Sequence, residues 1–360
     1  MTPNSFFKLI QTILSSKSKP TFFAYNFGCR VNASETNHLS QIFLDYSFRT
    51  HNSSDLQPPD VVLVNTCAIT NKGEKESLRL VNSIHRRYPH SHIIATGCAN
   101  LKNLKPNPQI HALSNLNKSM ILDSTNNYPY AIHVPDKLSQ YRRYLLKIQS
   151  GCNQFCSYCI VPYRRSKLWY LPIKQAIDQV NQAHHLGFQE IIITGVNLDL
   201  YTPKLSNLLQ QLLQKTKIPL FSFGSIPINS INSQFISLLR QYPNRISNFL
   251  HIPIQSASSK ILKLMNRPYN QPQVIKTFQS LQPIPNLSFG TDVLVAFPGE
   301  TDQDFQQTYQ FCQQTKFKKI HTFVYSPRPQ TQALKLVKQH SPISTSVAKQ
   351  RSKLIRDLVS

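Results

Sequence analysis

Apolar residues fall along this chain in short dense runs, separated by longer stretches in which they recur every three or four positions. Residues 22–26 (FFAYN), 60–65 (DVVLVN) and 92–96 (HIIAT) are of the first kind, the pattern that buried strands require. Residues 33–43 and 72–87 are of the second kind and predict helices. Continuous strands alternating with helices indicate an α/β domain, a parallel sheet covered on both faces, so 20–125 reads as flavodoxin- or Rossmann-like. Residues 101–140 are rich in Asn, Pro and Ser with little periodicity; they read as linker-like, with 126–140 the linker proper. A second series follows, with strands predicted at 145–148, 190–193, 220–223, 249–254, 287–297 and 320–325. Helical stretches at 173–186, 230–239 and 302–315 lie between them. Six such units over 141–335 suit a partial (β/α)6 barrel, whose site would lie at the carboxyl ends of its strands. A last helix at 347–358 falls in a tail, 336–360. There is no internal repeat.

Composition changes this picture in two ways. The 360 residues carry 40 Lys and Arg against 16 Asp and Glu, a net charge of +24, which points to a polyanionic partner such as nucleic acid. Basic residues cluster mildly at 85–87, 141–143, 163–165 and in the last 26 residues. The N-terminal apolar stretch is broken by Lys8 and Gln11 and does not read as a signal peptide. No apolar run reaches the roughly 18 residues of a membrane span. An odd count of seven cysteines argues against a secreted disulfide framework, so a cytoplasmic location with free thiols is expected.

The cysteines carry the candidate chemistry. Cys152, Cys156 and Cys159 form C-x3-C-x2-C directly after the first strand of the second series. A buried helix face and a zinc site are both open readings. Gly151 and Pro162, which bound the run, favour a loop, and three thiolates in a loop suit a [4Fe–4S] cluster with one open iron. Cys29, Cys67 and Cys98 are far apart in sequence, yet each follows a predicted strand end: FFAYNFGC, VVLVNTC, HIIATGC. Parallel strands end on one edge, so these three can converge on a second metal site. The chain has only nine glycines, and Gly28, Gly97 and Gly151 each precede one of these cysteines. A glycine there permits positive φ and lets backbone N–H groups approach the sulfurs. Cys312, in QFCQQT, reads as an isolated free thiol.

These motifs together resemble the radical S-adenosylmethionine tRNA methylthiotransferases. GCNQFCSYCIVPYRR (151–165) is similar to that family's radical loop. NFGCRVNASE (26–35), NTCAIT (65–70) and ATGCAN (95–100) resemble its three N-terminal cysteine motifs, and GCRVN and NTCAIT fit best the threonylcarbamoyladenosine branch. EIIITGVNL (190–198), FLHIPIQSAS (249–258), MNRPY (265–269), TDVLVAFPGETDQDF (291–305) and HTFVYSPRPQT (321–331) continue the match in order. The resemblance implies two [4Fe–4S] clusters, an auxiliary one on Cys29, Cys67 and Cys98 and a radical one on Cys152, Cys156 and Cys159. It also implies S-adenosylmethionine as cofactor, a deoxyadenosyl radical, and insertion of a methylthio group at carbon 2 of an adenine beside the anticodon. Tyr158, Gly195, Asn197, Gln255, Ser256 and Asp292 match positions where the family contacts the cofactor, although each could equally serve the barrel's structure. An electron donor such as flavodoxin or ferredoxin is implied as a second partner, with the tRNA anticodon arm the first.

The chain departs from the family in places. The Arg-Gly-Arg-Glu-x-Ser-Arg expected after the loop is Arg165–Leu171 (RSKLWYL), and Ser-Ile-Glu-Pro is Ser225-Ile226-Pro227-Ile228. Glycines are replaced by Ala257, Ala296 and Gln330, and the family's C-terminal RNA-binding β-barrel module is expected to be lacking. The expected function is methylthiolation of N6-threonylcarbamoyladenosine in tRNA. Isopentenyladenosine as substrate, a ribosomal protein as substrate, and an eroded iron–sulfur RNA-binding protein remain as alternatives.

Overall fold

The computed structural model describes residues 1–52, 54–124 and 143–359, and the linker expected at 126–140 lies outside them. The chain forms two compact units: Met1–Gln140 with Tyr163–Lys167, and Tyr141–Pro162 with Leu168–Ser360.

The first unit is a five-stranded parallel sheet built from β1 (Thr21–Asn26), β2 (Arg49–Thr50), β3 (Val61–Thr66), β4 (His92–Gly97) and β5 (Ile110–Ala112), in the order β2-β1-β3-β4-β5. This is the flavodoxin-like order, whose switch point lies between β1 and β3. β3 is buried at every position, as its VVLVNT sequence requires. One face is covered by α1 (Pro3–Ser16), α2 (Arg30–Asp45) and α4 (Asn115–Ser124), which share a core with the sheet through Phe6, Phe22, Leu39, Phe43, Ile121 and others. The other face takes α3 (Asn71–Arg87), whose Val81 and Ile84 pack against Val62, Val64 and Ile93.

Three elements of this unit, α1, β5 and α4, depart from the sequence-based expectation. α1 buries Phe6, Ile10 and Ile13 at helical spacing and is started by a capping box between Thr2 and Ser5. The segment read as linker-like from residue 101 instead holds β5 and α4 up to Ser124. Asn and Ser serve there as caps and turns: Asn107 Oδ1 accepts from the Gln109 N–H and Ser114 Oγ from the Asn117 N–H.

The second unit carries β6 (Arg143–Ser150), the single turn α5 (Val161–Arg164, shared with the first unit), β7 (Trp169–Tyr170), α6 (Ile173–His185), β8 (Glu190–Gly195), α7 (Leu205–Lys215) and β9 (Leu220–Phe223). It continues through α8 (Ser233–Gln241), β10 (Phe249–His251), α9 (Ser259–Leu264), α10 (Gln271–Leu281), β11 (Ser288–Val295), α11 (Asp302–Thr315), β12 (Lys319–Val324), α12 (Ala333–Gln339) and α13 (Thr345–Arg356). β6, β8 and β9 run parallel, β7 lies antiparallel on the outer edge of β6, and β10-β11-β12 form a second parallel sheet. The Ile226 N–H donates to the His251 carbonyl and Phe221 bridges Ile246, so the two sheets follow one another as the six strands of a partial barrel. β10 ends at His251, three residues before the run 249–254 suggested, so Gln255 and Ser256 lie beyond it. Pro253 lacks the N–H that a longer strand would need.

At two of the three positions where the family resemblance expects glycine the backbone is left-handed: Ala296 has φ 58° and Gln330 φ 71°, whereas Ala257 does not have positive φ. Ala296 and Gln330 keep a conformation that suits glycine and strains a side-chain-bearing residue. Among the described residues no helix is long and apolar enough to cross a membrane.

Candidate active site

Each N-terminal cysteine stands within three residues of a strand's carboxyl end: Cys29 three beyond β1, Cys67 one beyond β3 and Cys98 one beyond β4. Cys29 and Cys67 therefore flank the switch point. Gly28 has φ 98°, and a Cβ there would stand 2.9 Å from the Cys67 sulfur. Gly97 has φ 102°, and a Cβ there would run into the backbone of Thr66. Both turns are thus closed to other residues. Burial pushes the Cys67 thiol up, and the Cys98 and Cys29 sulfurs push it further, which puts all three at one locus. Backbone N–H groups approach the sulfurs as well, Asn32 at Cys29 and Ile69 at Cys67.

A buried charge network that the sequence did not suggest adjoins this triad. Arg165 Nη1 and Nη2 each donate to a Glu35 carboxylate oxygen at 2.8 Å, Nη2 also donates to Asn32 Oδ1 at 2.6 Å, and Nε points at the Cys98 sulfur from 3.1 Å. Lys118, 1% exposed, lies 2.7 Å from the same carboxylate. Two basic groups share one carboxylate in the interior, where unpaired charge is costly, and burial draws the Lys118 amine down from its usual range. The Arg165 guanidinium beside Cys98 is complementary to an anionic sulfur ligand set. In the sequence Glu35 is marked only by its place in NFGCRVNASE (26–35), and Lys118 by nothing.

In the second unit the three thiols lie in the loop after β6. Gly151 turns the chain at φ 82°, and Cys159 N–H closes on the Cys156 carbonyl at 2.9 Å. The Cys159 thiol is pushed up to about 12, first by burial and then by the Cys156 and Cys152 sulfurs. The loop is clamped from outside by the MNRPY segment. Met265 and Leu264 carbonyls accept from the Ser157 backbone and hydroxyl, and Asn266 Nδ2 donates to the Phe155 carbonyl at 3.0 Å. Arg267 reaches Cys156 Sγ and Tyr158 Oη, both at 3.3 Å, and donates to Tyr269 Oη at 2.8 Å. It was not singled out from the sequence, although its motif was.

The residues expected at the cofactor sort into different settings. Tyr158 packs edge-on against Phe297 with its hydroxyl on Arg267. Asn197 donates to Gln154 Oε1 at 2.7 Å, lies 3.9 Å from Cys152 Sγ, and caps the turn that follows β8. Gly195 leaves room for Leu198 and Gln149. Gln255 takes φ 65° and pairs by backbone with Asp292 and Leu294, while Ser256 Oγ bonds Thr308 and the Ser258 N–H. Asp292 is held between His251 and His321.

Whether these thiols suit a cluster can be tested on their spacing. All seven cysteines are free. Among the described residues the one group of three ligand-type side chains with all donor atoms within 4.8 Å is His251, Asp292 and His321, so neither thiol triad is drawn that close. A single tetrahedral zinc ion would hold its sulfurs about 3.8 Å apart, from Zn–S bonds of about 2.3 Å. Three thiols gathered at one locus but more widely spaced fit a four-iron cluster better.

Comparison with known proteins agrees with this chemistry. Residues 146–312 match the radical SAM superfamily and residues 21–112 the uncharacterized protein family UPF0004. The threonylcarbamoyladenosine tRNA methylthiotransferase MtaB of Aquifex aeolicus is 30% identical, over 92% of this chain and 86% of its own length. The chain belongs to the radical S-adenosylmethionine tRNA methylthiotransferase family. A tRNA-2-methylthio-N(6)-dimethylallyladenosine synthase of Bacillus subtilis is 28% identical over 100% of this chain and 76% of its own length. In fold, the chain is similar to the radical S-adenosylmethionine methyltransferase TsrM of Kitasatospora setae, with a TM-score of 0.62 and 11% identity, covering 89% of this chain and 76% of that one. As a radical S-adenosylmethionine methylthiotransferase the protein is an enzyme that works with [4Fe–4S] chemistry and S-adenosylmethionine.

A shallow groove of about 690 Å³ in the first unit is lined by Phe27, two residues before Cys29, and by Glu76, Arg79, Leu80, Asn82, Ser83 and Arg86 of α3. Arg79 and Arg86 are exposed on one helical stripe of α3, with Glu76 one turn before Arg79.

Proposed function

We propose that the protein inserts a methylthio group at carbon 2 of N6-threonylcarbamoyladenosine next to the anticodon of tRNA. In this reading Cys152, Cys156 and Cys159 hold the radical cluster, and Cys29, Cys67 and Cys98 hold an auxiliary one. The observation that carries it is the pair of thiol triads, one on three strand-end loops of the first unit and one within the single loop after β6. When bound, the two clusters and S-adenosylmethionine supply the radical, the sulfur and the methyl group.

The chain's own residues do the positioning. Arg267 fixes Cys156 and Tyr158 with one guanidinium, and Asn197 ties the Cys152 side of the loop to the carboxyl end of β8. Arg165 fixes Cys98 from within a buried ion network. Arg79 and Arg86 take tRNA phosphates, and flavodoxin or ferredoxin supplies electrons. The GCRVN and NTCAIT motifs support the threonylcarbamoyl substrate. The dimethylallyladenosine synthase that aligns with the whole chain supports isopentenyladenosine as the second reading.

Nucleoside mass spectrometry of tRNA from a host with and without the gene separates these readings. Loss of 2-methylthio-N6-threonylcarbamoyladenosine alone is the expected result. Loss of the isopentenyl derivative would select the second reading, and an unchanged nucleoside profile would overturn both.

A further inference from the structure

Three consecutive strands of the second unit place a histidine, an aspartate and a histidine together. The register pairs His251 of β10 with Gly290 of β11, and Asp292 of β11 with His321 of β12. Side chains alternate along strands, so His251, Asp292 and His321 share one sheet face. The opposite face is the covered one: Phe289 packs there on Phe278 of α10, which also meets Phe311 of α11. The three polar side chains therefore line the barrel lumen.

Their geometry is that of ligands around a point. His251 Nε2 lies 2.9 Å and His321 Nδ1 3.1 Å from the same oxygen, Asp292 Oδ1. All three donor atoms lie within 4.8 Å of one another, and the imidazole centroids are 5.3 Å apart. Ligands bound at about 2.1 Å from a transition ion stand roughly 3.0–3.4 Å from their neighbours, so an ion can enter with side-chain adjustment alone. The site is also shaped: a Cβ at residue 290 would stand 2.9 Å from His251 Nδ1 and 2.6 Å from the Phe249 ring, so a scarce glycine is spent where the imidazole sits. Access is graded from His251, 10% exposed, through Asp292 at 22%, to His321 at 45%.

We propose that His251, Asp292 and His321 form a mononuclear site for a divalent transition ion, distinct from both thiol triads. Two imidazoles and one carboxylate suit Zn²⁺, Fe²⁺ or Co²⁺ rather than Mg²⁺ or Ca²⁺, which prefer oxygen. Three protein ligands leave at least one position open on the His321 side, where the lumen admits an oxygen or nitrogen donor. The site stands on these contacts alone and does not depend on which adenosine is modified.

The test uses the anaerobic protein with its iron–sulfur content reconstituted, cleared of loose metal by a weak chelator and equilibrated with Zn²⁺. The expected result is a single zinc per chain at unchanged iron, with only nitrogen and oxygen neighbours in zinc-edge X-ray absorption. Asp292→Asn and His321→Ala should each weaken zinc binding by about tenfold or more, with circular dichroism and iron content unaltered. His321 is half exposed, so its removal leaves the fold intact. Absence of zinc uptake, sulfur in the zinc shell, or equal uptake by both variants would overturn the site. Iron content reports separately on the thiol triads.

Discussion

Arg165 and Glu35 meet as a two-pronged ion pair, guanidinium nitrogens 2.8 Å from both carboxylate oxygens, with less than a tenth of either residue exposed. Breaking one partner of such a pair leaves an uncompensated buried charge and costs about 3–5 kcal/mol. Arg165→Gln should therefore lower the urea midpoint of the N-terminal unit and reduce iron retention there. A midpoint within error of the unaltered protein would show that Lys118 alone satisfies Glu35.

The thiol triads predict separable iron. With both clusters formed, anaerobic analysis should return about eight iron per chain. Alanine at Cys29, Cys67 and Cys98, or at Cys152, Cys156 and Cys159, should each remove about half. Deoxyadenosine formation from S-adenosylmethionine should vanish only in the second variant; persistence there would contradict the assignment of the radical loop.

The groove beside Phe27 predicts an electrostatic contact with tRNA. Arg79→Ala with Arg86→Ala should weaken binding and reduce the slope of log affinity against log salt by about 2. Filter binding at several salt concentrations checks this. An unchanged slope would move the RNA footprint elsewhere.

Acid sensitivity has a local source at Asp304. Burial by itself would raise this carboxyl, yet donors from Lys260, Thr301 and Ser258 hold it well below the usual carboxylate range. A depressed folded-state pKa contributes stability above the unfolded value of about 3.9 that is lost as pH falls below it. Asp304→Asn should therefore be less stable at pH 6 and show a shallower loss between pH 5 and pH 3. Urea titrations at each pH provide the comparison, and parallel acid profiles would be the contrary result.

The left-handed residues Ala296 and Gln330 predict stabilisation by glycine. Relief of the Cβ clash at each is worth about 1 kcal/mol, reduced by the added freedom of the unfolded chain. Ala296→Gly and Gln330→Gly should each raise the thermal midpoint slightly. A fall at both positions would mean that their side-chain contacts outweigh the strain.

Much of this could be read along the chain because periodicity and thiol placement are local. The runs at 60–65 and 92–96 became β3 and β4 within a residue, and α11 occupies 302–315 as expected. What escaped was set by distant partners. The apolar stretch of α1 is short and interrupted by Lys8, yet all 14 residues are helical because Phe6, Ile10 and Ile13 find a core supplied by β1 and α2. β7 has two residues and exists only through its pairing with β6. Lys118 and Arg165 are ordinary basic residues in sequence, and only the fold carries them 83 and 130 positions away to Glu35.

The stretch Tyr163–Lys167 belongs to the N-terminal unit although the loop of Cys152, Cys156 and Cys159 precedes it. Synthesis thus runs ahead of assembly. When the ribosome has finished α4, Glu35 and Lys118 have both been made, but their third partner has not. The first unit reaches its final charge balance only after the second unit's thiols have left the ribosome, which ties the maturation of one half to the birth of the other.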